Sequence, residues 1–277
     1  MPLLPTLNMV GAGRVGKTLA RLWHTQGVLR VQDVLTTSVA SAQAAVDFIG
    51  AGRAVATLAE LRGADAWFIA VPDRQLAVVA AALAQTPDLP AHATVFHASG
   101  ALAAAELAPL QARGWRIGSA HCILSFATPA TAVQQFAGTP CALEGEVPAR
   151  EALRPLFTAI GARCFDLPAG QKLLYHAAAV FGTNFLPVLQ AAAEALWQHS
   201  GVPPELLPHL RATLLHNAVD NVLALGPAGA LTGPAARGDM ALVQRQGQAV
   251  AQWDGQAGDA YAALSELARR LARDGRL

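Results

Sequence analysis

The stretch Thr6-Leu-Asn-Met-Val10 runs directly into Gly11-Ala12-Gly13-Arg14-Val15-Gly16. An apolar β-strand opens there into a glycine-rich turn and then a helix, which Lys17-Thr-Leu-Ala-Arg-Leu-Trp23 continues with apolar residues at helical spacing. Each glycine has its own steric task. Gly11 allows the tight turn, Gly13 leaves bare backbone where a pyrophosphate approaches, and Gly16 lets the helix pack closely on the sheet. The first N–H groups of that helix, around Ala12, Arg14 and Val15, are free to receive phosphate oxygens. Glycine supplies 24 of the 277 residues, so the spacing alone is weak. Its place behind an N-terminal apolar strand favours a dinucleotide site over an incidental turn.

Working outward, the chain alternates apolar runs with helical stretches up to about residue 168. Strands are expected near 6–10, 31–36, 66–71, 93–97, 116–120, 140–144 and 163–167, which predicts an α/β fold with a parallel, doubly wound Rossmann sheet. After Pro168-Ala-Gly170 the pattern changes to long helical stretches broken at Gly201-Val-Pro-Pro204 and between Gly226 and Gly238. The division is therefore a nucleotide-binding domain over 1–168 and an all-α domain over 169–277 for substrate and dimerisation. Hydrophobic residues make up 53% and charged residues 14%, which implies extensive buried surface. Every apolar run falls short of the roughly 20 residues that a membrane span needs. Met1-Pro-Leu-Leu-Pro5 has neither the basic region nor the cleavage site of a secretory leader, so a cytoplasmic location is expected. A net charge of +1 gives no reason to expect nucleic acid. Cys122, Cys141 and Cys164 are odd in number and far apart in sequence, which indicates neither a disulfide framework nor a zinc site.

The second strand decides which dinucleotide. A ribose 2′-hydroxyl is usually held by an acid at that strand's tip. Here the tip reads Thr36-Thr37-Ser38, and the nearest acid, Asp33, lies inside the strand and should point away. Three hydroxyls without a carboxylate tolerate a 2′-phosphate, so NADP is expected, with NAD possible. Two other strands end in Val71-Pro72-Asp73 and His97-Ala-Ser99-Gly100, at the carboxyl edge where such folds bind ligands. Val71, Pro72, His97, Ser99 and Gly100 are thus expected along the cofactor, with His97 and Ser99 near the nicotinamide.

These motifs are joined along the chain by His121-Cys-Ile-Leu-Ser125-Phe126, Tyr175-His-Ala-Ala-Ala-Val-Phe181 with Asn184, and Ala230-Leu-Thr-Gly-Pro-Ala-Ala-Arg-Gly-Asp239, and the resemblance they carry extends over nearly the whole chain. It resembles the family of Rossmann proteins carrying the domain of unknown function 2520. That family is related to the pyrroline-5-carboxylate reductases and β-hydroxyacid dehydrogenases of the 6-phosphogluconate dehydrogenase-like superfamily. The resemblance implies an NADP-linked oxidoreductase with a helical second domain, and names no substrate.

A hydride-transfer enzyme needs a proton donor beside the reacting atom. On a single helix from about Gln171 to Gln198, Lys172, His176 and Thr183 fall within a stripe of about 40°, with Asn184 about 80° farther round. Lys172 stands out because Lys17 is the only other lysine. β-Hydroxyacid dehydrogenases are similar here, with a lysine and, four residues on, an asparagine; this chain has His176 at the second position. Lys172, His176 and Asn184 are the candidate catalytic residues. His121 and Ser125 are expected on the substrate side. By analogy with the segment that closes over substrate in pyrroline-5-carboxylate reductases, so are Thr232 and Arg237. Arg237 suits a bidentate grip on a carboxylate, unless it simply pairs with Asp239. The reading is an NADP-dependent reductase or dehydrogenase of a small carbonyl, hydroxy or imino compound carrying a carboxylate. A deazaflavin-linked NADP oxidoreductase and a non-catalytic NADP redox sensor are the competitors. The apolar second half, with Phe181, Phe185, Leu189, Leu214 and Leu223, predicts a homodimer.

Overall fold

The computed structural model describes residues 4–277, so the first residues of the stretch read above for a leader lie outside it. Two compact units divide the chain, one reaching Val180 and the other spanning Phe181–Leu277.

The first unit is built on an eight-stranded sheet. In chain order its elements are β1 (Thr6–Val10), α1 (Arg14–Thr25), β2 (Arg30–Leu35), α2 (Val39–Ile49), β3 (Arg53–Val55), β4 (Ala66–Ile69), α3 (Leu76–Ala84), β5 (Thr94–His97), α4 (Ala108–Gln111), β6 (Arg116–Cys122), α5 (Pro129–Gln135), β7 (Pro140–Gly145), α6 (Val147–Ala159), β8 (Arg163–Asp166) and α7 (Lys172–Ala179). The strand order is β3-β2-β1-β4-β5-β6-β7-β8. The order reverses between β1 and β4, the crevice where doubly wound sheets take their ligands. β4 and β5, buried along their whole length, are apolar but for Thr94 and His97, as strands covered on both faces must be.

Two differences from the sequence reading have physical causes. β3 was not expected; it is three residues long at the sheet edge and begins with an exposed arginine, so it carries no apolar run. β7 runs antiparallel to β6, whereas a wholly parallel sheet was expected. The only α-helix between them, α5, has seven residues and rises about 10 Å, under half the roughly 23 Å length of β6. It does not carry the chain back to the start of the sheet.

The core fills both faces. On one, Trp23 from α1 packs edge-on against Phe68 of β4, Phe96 of β5 and Phe157 of α6, with centroids 6.1, 6.1 and 5.2 Å away. Its indole N–H donates to the Leu156 carbonyl at 2.9 Å, which satisfies the one polar atom of a fully buried ring. On the other face α3 and α4 bury Leu76, Leu83, Leu107 and Leu110.

The three cysteines, far apart in sequence, line up across neighbouring strands: Cys122 of β6 stands opposite Cys141 of β7, which stands beside Cys164 of β8. All three are free thiols. Hydrogen bonding from the Cys122 thiol together with burial pushes Cys141 well above the ordinary thiol range, which makes this row packing rather than reactive chemistry.

The second unit is helical. A π-turn over Val180–Asn184 leads into α8 (Phe185–His199), followed by α9 (Leu207–Ala230), α10 (Met240–Trp253) and α11 (Gly255–Asp274). α9 is kinked at Gly226, whose φ of +70° no helix continues. Gly258 brings α11 close to α10: a Cβ there would stand 2.6 Å from the Ala251 Cβ. Within α8–α11 only Val243 and Gly258 are buried. No helix of the described residues is long and apolar enough to cross a membrane.

Candidate active site

The glycine turn is built as its sterics demand. Gly11 has φ +87°, and a Cβ on it would lie 2.6 Å from the Ala70 carbonyl oxygen, so no other residue fits. Gly16 faces the sheet, with its missing Cβ 3.0 Å from the Ala70 Cβ and 3.3 Å from Met9 Cε. Gly13 is different: a Cβ there would meet nothing within 4 Å. It lines a groove of about 540 Å³ together with Gly11, Ala12, Thr36, Val71 and Pro72. α1 begins at Arg14 with no side-chain cap and no acid in its first turn, so its leading N–H groups face the groove's glycine end unneutralised. Of the flanking residues, Arg14 is exposed and Val15 packs on the core. Lys17, one turn into the helix, also lines the groove and brings a cation that the motif did not reveal. The donor set fits a pyrophosphate-bearing ligand: free N–H groups, one ammonium and a bare-backbone cradle.

At the far end of the groove Thr36 and Thr37 line the wall with Ser41. The Ser38 side chain instead caps α2, accepting the Ser41 N–H at 3.2 Å, so Ser41 rather than Ser38 supplies the third hydroxyl of the wall. The Thr36 and Ser41 hydroxyls bond each other. Asp33 is fully buried and points away, held by Arg53 Nε at 2.9 Å and by Arg62, whose two guanidinium nitrogens reach its carboxylate at 3.0 and 2.7 Å. Burial opposes its charge, but these hydrogen bonds outweigh it and hold the carboxyl below its ordinary range. No acid meets a ribose 2′ position from this strand.

The loop after β5 and helix α7 form a second polar centre within the same unit. Lys172 is buried, its Nζ donating to the Ser99 carbonyl at 2.8 Å and to Ser119 Oγ at 2.6 Å. The Ser119 hydroxyl donates in turn to Glu144 at 3.0 Å, and Glu144 also accepts the Ala104 N–H at 2.7 Å. Burial lowers the Lys172 pKa, opposed by the charges of Glu144 and Asp73. Sequence reasoning missed Ser119 and Glu144, which become partners only through the antiparallel register of β6 and β7. Ser99 Oγ donates to Asp73 at 2.8 Å and accepts the Leu102 N–H at 2.9 Å.

His97, expected to face the nicotinamide, is turned inward. Its Nε2 bonds the Ala103 carbonyl at 3.1 Å and its Nδ1 accepts the Ser99 N–H at 3.1 Å, so both nitrogens are consumed in shaping the loop. The cause is the chain's return at Ala103, which brings a carbonyl over the end of the strand. Burial lowers the His97 pKa to about 4, leaving the ring neutral. Its neighbour on the next strand is better placed. His121, partly exposed near the end of β6, bonds the Tyr175 hydroxyl through Nδ1 at 3.0 Å and stands edge-on to His176, centroids 5.6 Å apart. Burial, then the charges of His176 and Lys172, lower its pKa to about 4. Gly100 lies against both histidines; a Cβ there would meet His121 Nε2 at 2.8 Å and collide with His176 Nδ1.

The helical stripe is only half realised. Lys172 and His176 both project from α7, but the π-turn over Val180–Asn184 interrupts the 100° phase on which the alignment of Thr183 and Asn184 rested. Asn184 is exposed and accepts the Thr183 hydroxyl at 2.8 Å. Ser125 is exposed in the loop after β6. Thr232 and Arg237 are exposed in the second unit, and Arg237 makes no ion pair among the described residues. Asp239 caps α10 by accepting the Leu242 N–H at 3.1 Å. Among the described residues no three His, Cys, Asp or Glu side chains converge to hold a metal.

Comparison with known proteins agrees with this architecture. Residues 4–120 match a Rossmann-like domain, and residues 139–268 match the Domain of unknown function (DUF2520). Among solved structures the chain is similar to protein TM1727 from Thermotoga maritima, at 25% identity over 98% of this chain and 100% of that one, with a TM-score of 0.76. It is similar too to BF3122 from Bacteroides fragilis, which carries the name of an NADP oxidoreductase (20% identity, 96% and 98% coverage, TM-score 0.73). The imine reductase from Myxococcus stipitatus, solved with NADP+, shares the fold at 17% identity, 98% and 96% coverage and a TM-score of 0.64. No functionally curated protein matches the sequence.

Proposed function

We propose that this chain, which carries a Rossmann-like domain followed by a DUF2520 domain, is an NADP-dependent oxidoreductase moving a hydride to or from a small carbonyl, hydroxy or imino compound. The observation that carries the reading is the groove over Gly11 and Gly13, ending in the hydroxyls of Thr36, Thr37 and Ser41. The carboxylate of the second strand, Asp33, is committed to two arginines. The NADP named for two proteins of the same fold supports the choice of cofactor. When bound, it would supply the hydride chemistry; the protein's own task is to hold it and to manage a proton.

For that proton we assign His176, whose Nδ1 is buried without a hydrogen-bond partner. Lys172 is a positioning residue, since its ammonium is bound to the Ser99 carbonyl and Ser119. Asn184, Thr232 and Arg237 belong to the second unit, and we assign Arg237 the grip on a substrate carboxylate, the role its exposed guanidinium suits. A homodimer working in the cytoplasm completes the reading. Calorimetric titration tests its foundation: NADP(H) should bind more tightly than NAD(H), and equal or tighter binding of NAD(H) would overturn the assignment.

A further inference from the structure

Of the side chains that line the groove over the glycine turn, Lys17 alone is charged. It is half-buried, and among the described residues its ammonium makes no ion pair. No carboxylate lines the groove, so the cation stands there without a counter-charge from the chain and favours an anionic ligand. NADP has two anionic parts, the pyrophosphate and the 2′-phosphate on the adenosine ribose. The face of α1 on which Lys17 stands decides between them.

Lys17 and Arg21 are four residues apart and share one face of the helix. Arg21 Nη1 donates to the Ile49 carbonyl of α2 at 2.9 Å, and a Cβ on Gly50 would lie 2.6 Å from the same nitrogen. That face is therefore turned toward α2 rather than along the axis of α1. Both helices start at the carboxyl edge of the sheet, because each follows a strand of the parallel pair β1 and β2. Lys17, one turn into α1, leans back toward the helix start as helical side chains do, which brings it level with the first turn of α2 and with Ser41.

The two ends of the groove differ in what they lack. At the glycine end the uncapped N–H groups of α1 already face the space over Gly13 and serve a pyrophosphate without help. At the other end the wall is made of hydroxyls that are partly spent on one another: Thr36 and Ser41 bond each other, and each also donates to the Ser38 carbonyl at 2.9 Å. A phosphate monoester carries about −1.5 to −2 charges at neutral pH, which neutral hydroxyls do not balance. Folds of this kind take that balance from an arginine close to the tip of the second strand. Thr36-Thr37-Ser38 has none.

Resting on the oxidoreductase reading above, we infer that Lys17 is the residue that makes the groove select NADP over NAD, its ammonium reaching across from α1 to pair with the 2′-phosphate at the wall of Thr36, Thr37 and Ser41. Selectivity then resides on the helix that follows the glycines, while the second strand contributes shape and hydrogen bonds. Overall dinucleotide affinity and the preference for the 2′-phosphate become separable, since the first rests on backbone and the second on one side chain.

The test is calorimetric titration of the full chain with NADP+ and with NAD+. Lys17→Met keeps the apolar stem and removes the charge; it should weaken NADP+ binding on the order of 10- to 100-fold, the worth of a charge-assisted contact, and leave NAD+ binding nearly unchanged. Lys17→Arg should retain the preference, because a guanidinium also pairs with phosphate. Equal loss of both cofactors in Lys17→Met would place the ammonium on the pyrophosphate and overturn the inference, as would an undiminished preference for NADP+. A second arm uses 2′,5′-ADP followed by phosphorus NMR, in which the two phosphates give separate signals. Binding should shift the 2′ signal in the wild type, and Lys17→Met should weaken that binding by the same factor; equal affinity of the two chains overturns the inference. Failure of the wild type to bind either dinucleotide would instead overturn the oxidoreductase reading, with the 2′,5′-ADP arm still deciding the role of Lys17.

Discussion

Acid should destabilise the sheet unit well above the pH at which carboxylates titrate, and His97 sets the size of the effect. Its ring is wholly buried, and protonation would place an N–H at Nδ1 against the Ser99 N–H that this nitrogen now accepts. Burial lowers its pKa from 6.5 to about 4. Because the folded value is the lower one, the unfolded chain binds the proton first as pH falls. Stability is therefore intact above about pH 6.5, is lost progressively toward pH 4, and changes no further from this group below that. From those two pKa values the loss between about pH 7 and pH 5 is about 2 kcal/mol, approaching about 3 kcal/mol at full protonation. Asp33, whose folded pKa lies below 3.8, contributes its own loss only as pH falls past that value, so the higher window reports histidine. His121, also lowered to about 4, adds a second increment over the same range. Urea unfolding followed through the β5 amide resonances, at several pH values between 7 and 5, measures the slope. His97→Gln keeps a donor for the Ala103 carbonyl but cannot titrate, and should remove about half of the slope. An unchanged slope in the variant, or a His97 ring titrating near 6.5, would refute the argument.

Further outcomes follow from the glycines, Lys172 and the second unit. Gly13→Val should abolish dinucleotide binding in calorimetry with little change in melting temperature, because its side chain would enter open groove. Gly11→Ala should instead lose at least about 2 kcal/mol of stability, from a left-handed φ and the clash at the Ala70 carbonyl; equal behaviour of the two variants would contradict their separate roles. Lys172→Ala strips the charge from the Ser119–Glu144 network, and chemical denaturation should register a loss of about 3 kcal/mol or more, as for other broken buried ion networks. A loss below about 1 kcal/mol would mean that the buried ammonium is dispensable to the fold. Finally, Leu223 at 81% and Phe181 at 65% exposure leave a large apolar face on the second unit, and light scattering should give twice the 28.7 kDa chain mass. A concentration-independent mass of one chain would refute a homodimer.

How much of this was legible in the sequence depends on whether a residue's task is local. Gly11, Gly13 and Gly16 could be assigned one by one because a positive φ, an open cradle and a close helix contact are properties of a single turn read against a strand. The inward aim of Asp33 followed from strand alternation, though its two arginine partners lie about twenty and thirty residues on and did not. What stayed hidden was register. Ser119 meets Glu144 only because β7 returns antiparallel, and that direction was set by the shortness of α5, which no motif marks. The same register sets Cys122 opposite Cys141, and the parallel pairing of β7 with β8 adds Cys164, a row that spacing along the chain does not reveal. The π-turn is a subtler case. Lys172 and His176 lie on the regular helix and keep their phase, whereas the angles computed for Thr183 and Asn184 fall inside the π-turn, so a periodicity computed over the whole helix was correct only as far as its regular part. His97 was misjudged for a related reason, since a histidine at a strand's carboxyl end is available only if the following loop leaves its ring free. Here the loop spends His97 on its own shape and thereby fixes Gly100 in the place where His121 and His176 meet. The structural histidine and His176, to which the proton is assigned, are thus linked through one turn, which is why losing the first should disturb the second even though no hydrogen bond joins them.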